Sequence, residues 1–305
     1  MFLSGVSMKY NKVGLLDDFR CRMEPHINAL LKDSSDVRLK AKKINPLVTK
    51  YRDDYLRRIY NLASSENWSA QELVNQVLLV NYIYIIVMLE SRNSVWLYDY
   101  MAFSRRIGEL WEPFCKIAFF NPIKSLTVFK PMTFEQLKTQ RQNDAVNFIN
   151  SLSIIENNKE KLINYYKDPW RLIDSEHVKL ELDLHFIQDD RYYNCDFKSG
   201  FSSNEKGNTN RLLLVGSIYS MIGPEHKNIL FVRQNEEENN HYLMILKASP
   251  YWNVYCADEC YLKIKEFTGV DLRTWMDQNM NWKEDIAKDL YKYLREQDLF
   301  KYLTW

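Results

Sequence analysis

Residues 180–200 read LELDLHFIQDDRYYNCDFKSG, and this stretch decides the fold that the sequence predicts. Apolar and polar side chains alternate along residues 180–186 and again along residues 193–198, which is the pattern of two half-buried strands. Asp189 and Asp190 stand between them and suit a two-residue hairpin turn. We therefore expect an antiparallel hairpin with one apolar face and one charged face.

A hairpin closed at these two aspartates determines which residues face each other across the strands. The apolar pairs in this register are Phe186 with Tyr193, Leu184 with Cys195, and Leu182 with Phe197. Because apolar side chains meet apolar side chains, this face is suited to a hydrophobic core.

The opposite face brings charged side chains together. The same register sets Asp183 across from Asp196 and Glu181 across from Lys198, with opposed Cβ atoms about 5 Å apart. Two carboxylates at that distance repel each other unless a cation lies between them. A divalent metal ion with a neighbouring ammonium group removes this repulsion, so the hairpin predicts a metal site.

The charged face supplies ligands for such an ion. Asp183 and Asp196 are expected to bind it, with the backbone carbonyl of Phe197 as a further ligand. Lys198 is expected to stay charged, because the nearby carboxylates stabilise its charge and disfavour a role as base. The same face carries two more groups close to the expected ion, Glu181 and His185.

The pattern D-x12-D-F-K, from Asp183 to Lys198, resembles the metal-binding hairpin of the PD-(D/E)xK nuclease superfamily. The continuation FKSGFSSNEKGNTNR is most similar to type II restriction endonucleases. The resemblance covers residues 176–234, and Leu182 stands where the proline of the motif would be.

This resemblance implies an α/β (α+β) fold, in which a mixed sheet is flanked by helices. It also implies a Mg²⁺-dependent endonuclease that cuts double-stranded DNA at a specific sequence and leaves 5′-phosphate ends. In such an enzyme Asp183 and Asp196 would bind Mg²⁺, and Lys198 would orient the attacking water and the phosphate. Mn²⁺ is expected to replace Mg²⁺, and Ca²⁺ to support binding without cleavage. A homodimer is expected, because one such site cuts one strand and a symmetric duplex break needs two sites.

Several alternatives stay open. A surface hairpin with cross-strand ion pairs would explain Glu181 opposite Lys198, but not two aspartates that face each other. The function could also be that of a DNA repair or junction-resolving nuclease, or of a non-catalytic nucleic-acid-binding protein with a nuclease-like fold. The superfamily commonly adds an upstream acidic residue, for which the sequence offers Glu135, Glu156, Glu160 and Glu176.

Residues 202–211 follow the lysine strand directly and are expected to contact DNA as a loop. Their glycine and small polar side chains allow close approach of the backbone, and their cations suit phosphates and base edges. The candidates are Ser202, Asn204, Lys206, Asn210 and Arg211. A flexible surface connection is the competing interpretation.

Composition restricts the class of protein. The chain has 305 residues, 46% of them hydrophobic, which is ample for a packed core. The net charge of +1 gives no general attraction to nucleic acid, although residues 1–125 carry 18 Lys and Arg against 13 Asp and Glu. Five scattered cysteines favour reduced thiols in a cytoplasm. The longest apolar run, residues 77–89, is shorter than the roughly 20 residues of a membrane span, so no membrane partner is expected.

Helical periodicity dominates residues 1–125, which are predicted to form an all-helical region with a role in DNA binding or dimerisation. Basic residues near its start, at 38–43, could follow a phosphate backbone or simply face solvent. Residues 126–305 are predicted to form the catalytic domain. After the hairpin we expect a helix at residues 211–222, strands at 229–233 and 242–247, and a last helix at 281–302.

Overall fold

The computed structural model, which describes residues 10–171, 178–201 and 205–305, begins with four helices. They are α1 (Lys12–Lys32), α2 (Val37–Ser65), α3 (Ala70–Val95) and α4 (Tyr100–Phe120). Each begins where the sequence supplies an N-cap, and Ser69 forms with Glu72 the capping box that precedes α3. The predicted helical character of this region is therefore confirmed.

Helix α3 lies at the centre of this region. Of the described helices it alone is long and apolar enough to cross a membrane by length and composition, and 72% of its apolar window is buried inside the chain. Helix α2 continues through Pro46, where the sequence suggests a break. Proline removes only one backbone N–H, and burial of Ile44, Val48 and Ile59 against the core outweighs that loss.

The second half of the chain builds a sheet with helices around it. Its first part contains β1 (Thr127–Val128), α5 (Phe134–Ser151), α6 (Glu156–Arg171), β2 (Leu184–Gln188), β3 (Arg191–Lys198) and α7 (Lys206–Ile222). The rest contains β4 (His226–Val232), α8 (His241–Ala248), β5 (Asn253–Cys256), α9 (Asp258–Thr268), α10 (Leu272–Asn279), α11 (Trp282–Asp285) and α12 (Lys288–Glu296). The strand order is β1-β2-β3-β4-β5, antiparallel from β1 to β3 and parallel from β3 to β5. The predicted mixed sheet flanked by helices is confirmed.

The hairpin forms in the predicted register. Asp189 and Asp190 have φ values of +50° and +58°, which the turn requires and aspartate tolerates. Phe186 pairs with Tyr193, and the ladder ends where Leu184 pairs with Cys195.

The predicted pairings of Leu182 with Phe197 and of Asp183 with Asp196 are wrong, because the chain leaves the ladder at Asp183 and the last ladder pair is Leu184 with Cys195. The Asp183 carboxylate accepts the Phe197 N–H that a backbone carbonyl would take in a continued ladder. Leu180 and Leu182 consequently pack on the other side of the sheet from Leu184.

Two cores cover the two faces of the sheet. The larger joins α1–α4 and the C-terminal helices to β2 and β3, and the Trp111 ring of α4 meets the Phe197 ring edge-on at 5.9 Å. The smaller joins α5, α7 and α8 to the opposite face through residues such as Leu230 and Val232. The division into residues 1–125 and 126–305 stays a prediction, and apolar packing crosses it.

Several predicted elements differ from the structure. Residues 242–247, predicted as a strand, belong to helix α8, where Leu243 and Leu246 reach the core at helical spacing and Asn240 caps the start. Helix α7 begins at Lys206, five residues before the predicted start, so the second half of the predicted loop is helical. The predicted last helix is divided into α11, α12 and the 3₁₀ turn Phe300–Leu303.

Gly216 of helix α7 packs closely on the Trp252 ring, and this contact gives a first prediction. A Cβ on Gly216 would lie 2.4 Å from Nε1 of the buried Trp252 ring, whose N–H is bonded to the Leu212 carbonyl. We expect Gly216→Ala to lower the free energy of unfolding by about 1–3 kcal/mol in urea titrations. Gly207→Ala is the matched control, because a Cβ at this glycine would meet nothing within 4 Å and alanine favours a helix by up to about 1 kcal/mol. Equal stability of the two variants would contradict the prediction.

Candidate active site

Asp196 lies at the centre of the charged face of the hairpin. Its side chain is fully buried on β3, with Oδ2 accepting a hydrogen bond of 2.9 Å from Arg211 of α7. Nζ of Lys198 lies 2.6 Å from Oδ1 but is not aligned as a hydrogen-bond donor, and no other described residue donates to that oxygen. The carboxylate is therefore held between two cations with one oxygen incompletely satisfied.

Asp183 lies beside Asp196, at the bend before β2. Its Oδ2 accepts a hydrogen bond of 2.8 Å from the Phe197 N–H. The pKa of Asp183 is raised to about 6, mainly by burial and then by the charge of Asp196, while the Phe197 hydrogen bond opposes both effects. The structure thus brings the two predicted carboxylates together on one face.

The backbone of Phe197 joins the two carboxylates. In an extended strand the N–H and C=O of one residue point to the same side, so the Phe197 carbonyl shares the Asp183 side of β3. Lys198 forms its ion pair with Asp196 rather than with Glu181, so the predicted cross-strand pair is not formed. Glu181 is exposed and lines the cleft above Asp183.

His185 is buried directly beneath the carboxylates and supports the backbone that carries Asp183. Its Nε2 accepts the Leu182 N–H at 3.0 Å, which leaves the proton on Nδ1, 3.0 Å from Oδ1 of Asn194. Burial lowers the pKa of His185, in keeping with a neutral ring. Asn194 continues the network to Asn228, which bonds to the Gly216 carbonyl of α7.

A cleft of about 740 Å³ opens above Asp183. Its wall contains Lys116 of α4 and Arg211 of α7, with residues 130–135 and 178–183 between them. Because these elements come from opposite sides of the sheet, the cleft lies where the two layers of helices meet. Among the described residues, four cations and three carboxylates line it, so the cleft offers contacts for phosphate groups and for cations.

Glu112 was not among the sequence candidates. It lies one helical turn before Lys116, with which it forms an ion pair of 3.1 Å, and its charge contributes to the raised pKa of Asp183. Helix α4 has an aromatic face toward the core, so its sequence indicates a packing role and gives no sign of a site at Glu112. A Glu and a Lys four residues apart on the polar side of α4 are the only local signal.

The other sequence candidates lie at varied positions. Glu135 lines the cleft and is 3.5 Å from Lys138, whereas Glu156 and Glu160 lie on α6. Lys206 and Asn210 are exposed on the first turns of α7. Three candidates lie outside the described residues: Glu176, Ser202 and Asn204.

The number of oxygen ligands in the site is sufficient for a Mg²⁺ ion that also binds water and phosphate. Within the described residues no three His, Cys, Asp or Glu side chains lie close enough to hold a metal ion. Asp183, Asp196 and the Phe197 carbonyl would supply three oxygen donors, and Mg²⁺ commonly takes one or two carboxylates and completes its shell with water and phosphate. The incompletely satisfied Oδ1 of Asp196 supports this fit.

No family model, curated protein or solved structure matches this chain.

The raised pKa of Asp183 predicts a dependence of stability on pH in metal-free protein. A folded-state pKa of about 6, above the ordinary 3.8, means that the protonated form favours folding. The contribution of Asp183 is therefore complete below pH 3.8 and is lost as the pH rises through about 6. With EDTA present, Asp183→Asn should gain stability relative to wild type between pH 4 and pH 7 in urea titrations. A difference that does not change with pH would contradict the assignment, and Mg²⁺ should stabilise only the wild type above pH 6.

Proposed function

We propose that this chain is a Mg²⁺-dependent endonuclease of the type II restriction class that hydrolyses double-stranded DNA and leaves 5′-phosphate ends. One observation carries the proposal: the charge of Asp196 acts on Asp183, Lys198 forms an ion pair with Asp196, and Asp183 lines a cleft that also contains Lys116 and Arg211. Two carboxylates whose charges act on each other in a buried site are costly, and a cationic ligand would remove that cost.

Each residue has a part in this chemistry. Asp183, Asp196 and the Phe197 carbonyl would hold Mg²⁺, which supplies positive charge to the phosphate and makes a water molecule more acidic. Lys198 orients the attacking water and balances charge on the phosphate. Arg211 and Lys116, at the cleft wall, hold neighbouring phosphate oxygens. We expect Mn²⁺ to replace Mg²⁺, and Ca²⁺ to support binding alone.

Glu112 is our proposed upstream acidic residue. Its charge acts on Asp183 from outside the hairpin, and it forms an ion pair with Lys116, which lines the cleft. Glu135 also lines the cleft and remains the alternative. His185 and Glu181 act on the site through position and charge rather than by contact with the reacting atoms.

A second candidate function follows from the two ion pairs that Asp196 forms. Both oxygens of Asp196 already have a cation within 2.9 Å, Lys198 on one side and Arg211 on the other. Such a neutralised carboxylate suits a non-catalytic nucleic-acid-binding protein that keeps a nuclease-like fold. Titration with Mn²⁺ separates the two functions, because only a metal-dependent enzyme binds the ion in wild type and loses it in Asp183→Asn.

The direct test incubates the purified chain with unmethylated phage DNA and Mg²⁺. Discrete bands with 5′-phosphate ends support a restriction endonuclease, whereas cleavage confined to branched or damaged duplexes supports a junction-resolving or repair nuclease. Binding without cleavage under all metals supports the non-catalytic function. A cytoplasmic location and a homodimer are parts of the same proposal, and sedimentation with cleavable DNA should give two chains per duplex.

A further inference from the structure

A second cationic pocket lies in the N-terminal helical region, where α2, the end of α3 and the start of α4 meet. Its volume is about 220 Å³, room for several water molecules at roughly 30 Å³ each. Five cations line it: Arg38, Lys42, Arg92, Arg105 and Arg106. They come from three helices, so tertiary packing and not a basic run of sequence assembles them.

The charge of this pocket is not balanced by the protein. Glu109 pairs with Arg105 and Arg106, at 3.4 and 2.9 Å. Asp99, at the start of α4, is the other carboxylate that acts on the cluster. Among the described residues, Arg38, Lys42 and Arg92 form no ion pair with any carboxylate. Five cations against two carboxylates leave an excess of three positive charges.

Arg92 shows how closely the cluster is held. Its side chain is buried, with the guanidinium carbon 4.3 Å from the centre of the Trp96 ring and 5.0 Å from that of Tyr98. Burial lowers its pKa and the charge of Arg106 adds to that effect, although Tyr98 and Asp99 oppose it. The guanidinium donates a hydrogen bond to the Trp96 carbonyl, but no carboxylate among the described residues forms an ion pair with it, so an anion in the pocket would offset its charge and that of its basic neighbours.

A buried hydroxyl also lies within the cluster. The hydroxyl of Tyr98, whose residue is 2% exposed, interacts with Arg106, and no other described residue is hydrogen-bonded to it. A hydroxyl and guanidinium groups around a small volume are donors that bind phosphate oxygens.

We propose that this pocket binds a phosphate group, supplied either by a nucleic-acid backbone or by a free nucleotide. The position of α4 favours the nucleic-acid backbone as the source of this phosphate group. Gly108 packs so closely on Ser199, directly after Lys198, that a Cβ there would lie 2.9 Å from the serine Cβ. From Arg105 to Glu112 the helix rises roughly 10 Å, about three phosphate steps along one DNA strand. Only this assignment to DNA rests on the proposed function.

The experiment compares two double variants with the same loss of charge. Arg38→Ala/Arg105→Ala removes two exposed cations of the pocket, so the fold should be retained. Lys50→Ala/Arg57→Ala removes two exposed cations elsewhere on α2 and is the control. Binding of a labelled DNA duplex is measured in Ca²⁺ over a range of salt concentrations, and binding of ATP is measured separately.

We expect the pocket variant to bind the duplex roughly tenfold more weakly than the control, with a log–log salt slope lower by about one unit. Tyr98→Phe removes only the buried hydroxyl and should weaken binding severalfold without a change in melting temperature. Weaker ATP binding with unchanged duplex binding would assign the pocket to a free nucleotide.

Pocket and control variants that behave alike with both probes, together with an unchanged Tyr98→Phe, would overturn the proposal. Because binding is the measured quantity, a wild-type chain that binds DNA without cutting it would count against the nuclease proposal alone. Unchanged duplex binding in the pocket variants would leave the nuclease proposal intact.

Discussion

Asp196→Asn is expected to reduce Mg²⁺-dependent cleavage by about 10³-fold, the largest effect of any single substitution in this chain. The amide keeps the shape of the side chain but removes the negative charge that a metal ion requires. DNA binding should persist, because the cations of the cleft, Lys116 and Arg211, are unchanged. Cleavage of a supercoiled plasmid, followed over time at a fixed Mg²⁺ concentration, measures the loss.

Asparagine is preferred to alanine because of the burial of this side chain. Asp196 is fully buried between Lys198 and Arg211, so Asp196→Ala would leave a void and two cations without their counter-ion. Loss of one partner from a buried ion pair typically costs about 3–5 kcal/mol. Thermal unfolding therefore accompanies every cleavage assay, and the loss is interpreted only for protein that is folded at the assay temperature.

Two further variants keep this prediction decisive. Asp190→Asn changes an exposed aspartate in the hairpin turn, where asparagine also tolerates the positive φ, and should cut like wild type. Asp183→Asn changes the other proposed ligand and should lose cleavage to a similar extent. Wild-type digestion by folded Asp196→Asn and Asp183→Asn would exclude the metal site.

Lys198→Gln is expected to reduce cleavage by about 10²-fold while duplex binding in Ca²⁺ changes little. Lys198 is 20% exposed, and its ammonium lies 2.6 Å from Oδ1 of Asp196, so it can reach a phosphate at the metal site. Its charge is needed most as negative charge develops on the phosphate. The loss should therefore appear in the rate of single-turnover cleavage rather than in the dissociation constant of the DNA.

The charge and the geometry of this lysine can be separated. Lys198→Arg keeps the charge but changes its shape, and should retain more activity than the glutamine variant. Lys227→Gln removes an exposed lysine from the neighbouring strand β4 and should leave cleavage unchanged. If Lys198→Gln weakened DNA binding as much as cleavage, the lysine would be a binding residue and its proposed role would be wrong.

Local sequence was sufficient for the hairpin and for most of the N-terminal helices. The turn at Asp189 and Asp190 sets the register, because side chains in a strand alternate strictly and a slip of one residue would exchange the polar face with the apolar face that packs on the larger core. The capping box at Ser69 marks the start of α3 for a similar reason, since its hydrogen bonds join residues only three apart.

Where local patterns are ambiguous, the tertiary structure decided the element. Residues 242–247 fit both a strand and a helix, because Leu243 and Leu246 can reach a core at either period over so short a segment. Packing of α8 against α7 and β5 selects the helix. The end of the first hairpin strand was also undetermined by alternation, since the Asp183 side chain takes the hydrogen bond that would have continued the ladder.

By itself, the sequence determined the hairpin turn and the alternation that puts Asp196 and Lys198 on one face of β3, because strand periodicity and a two-residue turn are local properties. Only the tertiary structure placed Arg211 on the Asp196 carboxylate and the charge of Glu112 near Asp183, since α7 and α4 approach the sheet from opposite sides. It alone assembled the second cationic pocket from three helices. Contacts between segments so distant in the chain depend on how whole helices pack, and the local periodicity of the sequence does not predict that packing.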